Sequence, residues 1–246
     1  MSVLKPIVAI LATINTKSKE VHFIANVLER AGATPWIVDL SMKPHNLPLA
    51  DITGEQVARL ADRSWLALDG SVRQEAAAVM VEGGTKLLLE KYTQGDLAGA
   101  IGIGGANGTN LVCSIMRSLP YLLPKVMIST VAGTAAAQWY VAESDIAMYP
   151  SIGDISLNRI TTAIMENAAN AVAIAAKNWL ARRQDKPRRR HLSRSPRSAA
   201  PPVVSKELVN GSKLWATRSS YSTPQVSAAN RLNGSRSRAN LPASSM

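Results

Sequence analysis

The sequence predicts an open, doubly wound α/β fold: a mostly parallel sheet with helices on both faces. Three observations carry that prediction. Short apolar runs recur between residues 6 and 150 without polar alternation. Helical patterns lie between them. Asn107-Gly108 would by itself signal a turn, but the segment runs from a strand into a helix, which disfavours a hairpin. A strand apolar on both sides is covered on both sides, which is the condition of a parallel sheet.

The elements follow in order. PIVAIL at 6–11 reads as a fully buried strand. Residues 18–31 place Val21, Ile24, Ala25, Leu28 and Ala31 on one helical face, and Gly32 ends the helix. TPWIVDL at 34–40 is the second strand, and 41–54, with Pro44, Asn46 and Pro48, is a loop. Residues 72–92 read as helix. Gly83 and Gly84 inside it cost about 1 kcal/mol each relative to Ala, and mark either a close helix contact or a break. The third strand is 97–103, followed by a helix at 109–119 closed by Pro120. The fourth strand is 125–130 and a short fifth is 145–149. A long helix at 155–182 sets Leu157, Ile160, Ile164, Ala168, Ala171, Ala175 and Trp179 on one face.

Composition bounds the function. The chain has 246 residues, 46% of them hydrophobic, with a single Phe, so the core is aliphatic. No apolar run approaches the ~20 residues of a membrane span, so no membrane partner is expected. The N-terminal apolar run lacks a basic leader and a cleavage site, and reads as a strand. The single cysteine, Cys113, excludes an internal disulfide framework and fits a reducing, cytoplasmic setting. It falls inside the 109–119 helix as a small buried side chain.

The net charge of +11 is unevenly placed. Residues 1–181 hold 14 basic and 15 acidic side chains, and 182–246 hold 14 basic and 2 acidic. The body is close to neutral, so the high pI is no sign that it binds nucleic acid. Two regions are expected: an α/β domain at 1–182 and a disordered Ser/Arg/Pro-rich tail at 183–246. RRRHLSRSPRS at 188–198 reads as a solvated tail without a role, or as a nuclear-import or RNA-binding patch. Nucleic acid is a partner only through it.

Ligands of such folds sit beyond the carboxyl ends of the strands. That selects the loops 12–18, 39–46, 104–109 and 130–138. In the first, Thr13, Asn15, Thr16 and Lys17 suit an anion, with helical N–H groups behind them. The bland alternative is Thr16 as a helix cap. In the third, GIGGANGTN at 102–110 is neither a Walker A motif nor a spaced dinucleotide fingerprint. Gly104, Gly105 and Gly108 let a backbone bend and a ligand approach. Thr109 at the helix entrance either caps or bonds a phosphate. In the fourth, Ser129, Thr130, Gly133 and Thr134 leave room for a ligand or for close helix packing. Asp39 bonds ribose hydroxyls or caps a turn. Asp154 caps the last helix. His22, His45 and His191 show no metal-site spacing, and no Ser-His-Asp set or carboxylate pair is suggested. Binding is legible, and catalytic machinery is not.

Several segments in this order, TINTK, AGAIGIGGANGTN, MRSLPYLLPKVMISTVAG, DIAMYPSIGDISLNRI and ENAANAVA, resemble the Tm-one-like ATP-binding domain family. This is the N-terminal domain of the tomato mosaic virus resistance protein family. The resemblance covers about residues 5–180. It implies a Rossmann-like domain that binds ATP, with Mg²⁺, through Thr13, Thr16, Lys17, Gly104, Gly105, Gly108, Thr109, Ser129 and Thr130. The sequence departs from the family pattern at Asn15, where the family has Asp, and at Gly133-Thr134. Family members continue into a second α/β domain, and the basic tail stands where that domain would begin. The function so implied is ATP binding that acts through a partner protein, with homo-oligomers allowed. The alternative is a metabolic enzyme for a small phosphorylated or carboxylated substrate, inactive if truncated.

Overall fold

The computed structural model describes residues 5–184. Five parallel strands form one sheet in the order β2-β1-β3-β4-β5. They are β1 (Ile7–Ala12), β2 (Thr34–Asp39), β3 (Leu97–Gly104), β4 (Lys125–Ser129) and β5 (Ala147–Pro150). All five match the sequence reading to within two residues. The helices are α1 (Ile14–Arg30), α2 (Gly54–Leu60), α3 (Arg73–Thr93), α4 (Ala106–Arg117), α5 (Ala137–Val141) and α6 (Arg159–Gln184). The expected tail lies, from residue 185 on, outside the described residues. No helix among them is long and apolar enough to cross a membrane.

Alternation along β1 divides the core. Val8, Ile10 and Ala12 pack with α1 and α6 on one face, while Ala9 and Leu11 pack with α2, α3 and α4 on the other. Both sides of the strand are therefore buried, which is why it reads as a continuous apolar run. Gly32, with φ of +76°, ends α1 as expected.

The structure decides one open alternative, adds one helix and corrects two readings of the last helix. The 72–92 helix does not break at its glycines. α3 is continuous, and a Cβ on Gly83 would lie 1.9 Å from the Val57 carbonyl oxygen, so the glycine admits α2. The short α2, capped reciprocally by Thr53 and Gln56, was not foreseen. The last helix begins at Arg159 and not at 155. Its cap is Asn158, whose Oδ1 accepts from Ile160 N (2.9 Å) and Thr161 N (3.0 Å); Asp154 instead accepts from Ile155 N. Finally, the buried face of α6 is Met165, Ala168, Ala169, Val172, Ala173 and Ala176, whereas Leu157 and Ile160 are exposed. Small side chains let α6 lie close on the sheet, where Gly99 leaves room for Val172. Ile164 and Trp179, which were also expected on this face, pack at its margin.

Candidate functional site

A cavity of about 650 Å³ opens at the carboxyl ends of β1 and β3. In the order 2-1-3-4-5, the chain reverses direction across the sheet between these two strands, and the crevice there is the usual ligand position. Thr13, Asn15, Thr16 and Lys17 line it from the start of α1, and Gly104, Gly105 and Gly108 from the turn into α4. The two loops singled out from the sequence thus share one hollow.

α4 supplies the donors. Gly105 is its N-cap residue, with no side-chain cap and no acid in the first turn. The first intrahelical bond runs from Thr109 N to Gly105 O (2.8 Å), which leaves the N–H groups of Ala106, Asn107 and Gly108 without a helical acceptor. Those groups and the positive end of the helix dipole face the cavity mouth.

The three glycines differ in purpose. A Cβ on Gly104 would come within 2.9 Å of Gly108 Cα, so this glycine lets α4 turn back on β3. At Gly105 the nearest atom would be Thr130 Oγ1 at 3.8 Å, and at Gly108 the nearest would be Ile103 O at 3.9 Å. Gly105 has an ordinary φ of −71°, and Gly108 is helical. Neither packing nor backbone strain requires glycine at these two positions.

α1 behaves differently from the expectation. Its first N–H groups are already taken: Ile14 N donates to Asp39 Oδ1 (3.2 Å) and Asn15 N to Ser41 Oγ (3.1 Å). Thr16 is not the cap; it lies one turn inside, its hydroxyl donating to Thr13 O at 3.1 Å. Lys17 leaves helical geometry (φ −129°, ψ 24°) and donates through Nζ to Ile155 O at 2.6 Å. This bond ties the cavity rim to the loop after β5.

Asp39 is buried and does not line the cavity. Oδ1 accepts from Ile14 N, Ser41 N (2.8 Å) and Ser41 Oγ (2.5 Å), and Oδ2 lies 2.9 Å from His45 Nε2. Asp39, Ser41 and His45 therefore meet, a grouping the sequence did not suggest. It is not a nucleophile–base pair. His45 Nδ1 accepts from Leu47 N, so Nε2 carries the proton and donates, and Ser41 has its own proton on Asp39. The network braces the loop after β2 against the loop after β1.

Thr109 and Ser129 are also buried, with their hydroxyls 2.6 Å apart, and Thr109 Oγ1 donates to Gly104 O. They clamp the glycine turn to the end of β4 and do not line the cavity. Thr130 is half-buried, Gly133 and Thr134 are exposed, and all three lie off the lining.

Lining residues that sequence reasoning missed fall into two sets. Met42, Leu68, Ala76 and Leu111 form an apolar wall, and Lys43, Ser71 and Arg73 add polar groups and two cations. Lys43 sits in a loop that strand position had flagged. Ser71 precedes α3 and Arg73 opens it, at the start of a helix that was read from the sequence but that follows no strand. Neither Lys43 nor Arg73 forms an ion pair among the described residues. Among the described residues no Asp or Glu lines the cavity. Among the described residues no cluster of His, Cys, Asp and Glu forms a metal site. Cys113 is buried on α4, and burial pushes its thiol up to about 11, so it is no nucleophile.

The description of an uncharacterised protein family, the UPF0261 N-terminal domain, matches residues 6–181. The chain belongs to this family. A UPF0261 protein of Rhizobium meliloti is 38% identical over 169 residues, covering 68% of this chain and 41% of that protein. One from Clostridium tetani is 30% identical over 170 residues, covering 67% and 41%. The ToMV susceptible protein tm-1(GCR26) of Solanum lycopersicum is 39% identical over 103 residues, which is 42% of this chain and 14% of that protein. The family resemblance read from the sequence is thereby borne out. The chain spans about two fifths of the length of its bacterial UPF0261 relatives.

Proposed function

We propose that this UPF0261 domain binds a nucleoside triphosphate, ATP by the family resemblance, and acts through a partner protein. One observation carries the reading. Gly105 and Gly108 would each take a Cβ in ordinary contact, 3.8 Å from Thr130 Oγ1 and 3.9 Å from Ile103 O, and they stand beside free α4 amides in a cavity that also holds Lys17, Lys43 and Arg73 and, among the described residues, no carboxylate. Glycine without a packing or strain requirement is accounted for if a ligand comes where a Cβ would stand. Amides and cations suit the phosphates, and the wall of Met42, Leu68, Ala76 and Leu111 suits the base. The volume lies within the usual range for small-molecule sites, about 300–1,000 Å³.

The enzyme alternative finds less support. Among the described residues the lining offers no His, Cys, Asp or Glu to act as nucleophile or general base. Calorimetric titration of the full chain with ATP tests the binding reading. Saturable heat at micromolar to millimolar nucleotide, weakened by Lys17→Ala, is the expected result. Absence of heat and of any rise in melting temperature at millimolar ATP rejects it.

A further inference from the structure

We infer that the cavity takes the triphosphate as the free polyanion and does not depend on a divalent cation. The inference rests on the nucleotide reading above and adds the ionic form of the ligand. Mg²⁺ is a hard cation that prefers oxygen ligands in octahedral array, and a protein usually meets it with one or two carboxylates besides the phosphates. None of the described residues around this cavity is an Asp or a Glu. The nearby carboxylate in the site's framework, Asp39, is buried, and both of its oxygens are occupied by donors from Ile14, Ser41 and His45. It cannot turn to a metal without releasing the start of α1. The residue set does not fit a protein-held Mg²⁺.

What the cavity offers instead is positive. Lys17, Lys43 and Arg73 stand around it together with the free amides of α4. Lys17, held to Ile155 O, and the exposed Lys43 and Arg73 offset much of the charge of a free triphosphate, which is the work Mg²⁺ does at sites lined by acids. Once Mg²⁺ has neutralised the phosphates, the same cations gain less from them and repel the metal. Asn15 sits on this wall and completes the acid-free lining. Its amide oxygen lies 3.2 Å from Ser41 Oγ, whose proton is committed to Asp39. A carboxylate at position 15 would thus face the ligand unpaired.

The test is calorimetry of the full chain with ATP in EDTA and with ATP in excess Mg²⁺, at matched ionic strength. Equal or tighter binding in EDTA is expected. Arg73→Ala and Lys43→Ala should each weaken the EDTA arm roughly tenfold, and the Mg²⁺ arm less. Asn15→Asp should weaken binding in EDTA and shift preference toward the Mg²⁺ form. Binding that is lost in EDTA and restored by Mg²⁺ overturns this inference and leaves the nucleotide reading standing. Binding in neither arm overturns the nucleotide reading, and this inference falls with it.

Discussion

At Gly105 and Gly108 no packing contact requires glycine, and the nucleotide reading makes a measurable prediction for a methyl group there. A methyl group at either position meets nothing closer than 3.8 Å. Gly108→Ala should raise stability by about 0.5–1 kcal/mol, because the position is helical. Gly105→Ala, at the N-cap, should cost no more than about 0.5–1 kcal/mol. If the nucleotide reading holds, both should nevertheless abolish the thermal shift expected of the wild type with ATP. A variant that keeps its melting temperature and its full ATP response would show that no ligand approaches this turn. The same scale shows why half of the flagged polar residues serve another purpose. Thr109 and Ser129 have the chemistry of phosphate ligands, yet their hydroxyls satisfy each other inside the protein. Residue type states what a side chain can bond. It does not state which side of the backbone it will face.

Between elements, two contacts decide stability. α2 touches α3 through Gly83, where a Cβ would fall inside the Val57 carbonyl. Gly83→Ala should lower stability by about 1–3 kcal/mol despite its better helix propensity, because backbone must move; urea denaturation measures it. An unchanged midpoint would mean that the helices separate freely. The second contact lies at the amino end of β4. The buried Lys125 ammonium meets Asp145 Oδ1 at 2.7 Å and also donates to Pro120 O and Leu123 O. Burial by itself would raise the Asp145 pKa, but the Lys125 bond and the Leu122 amide, at 2.7 Å, together bring it below its ordinary value of 3.8. A depressed acid stabilises the fold above its unfolded pKa. That contribution is lost as pH falls below about 3.8 through the folded value. Asp145→Asn should therefore cost roughly 1–2 kcal/mol at pH 7, after allowance for its partial exposure, and less in acid. A cost that does not shrink with falling pH would remove the ion pair from the account.

On the scale of the whole chain, charge and domain are separable. The near-neutral α/β body carries the cavity, while residues 182–246 hold the positive excess. Polynucleotide binding by the full chain should fall steeply with salt and disappear when residues 185–246 are removed. Filter binding at two salt concentrations reads both effects, and binding that survives the deletion would relocate it to the folded body. The relatives extend to more than twice the matched length, so the matched region is one part of a larger protein in those chains.

The sequence by itself determined the layered architecture. Its central strands β1, β3 and β4 are short apolar runs buried on both faces, and that pattern needs no partner to be recognised. It also placed Lys17 and Gly105 at the same sheet rim, because parallel strands joined by helices leave their carboxyl ends on one edge. Only the tertiary structure brought Lys43, Arg73 and the apolar wall of Met42 and Leu68 to that rim, since no local pattern in the segments that carry them places them there. Only it turned Asp39, Thr109 and Ser129 inward. Local pattern fixes which elements form, whereas the orientation of a polar group depends on which distant donors and acceptors the folded chain sets beside it.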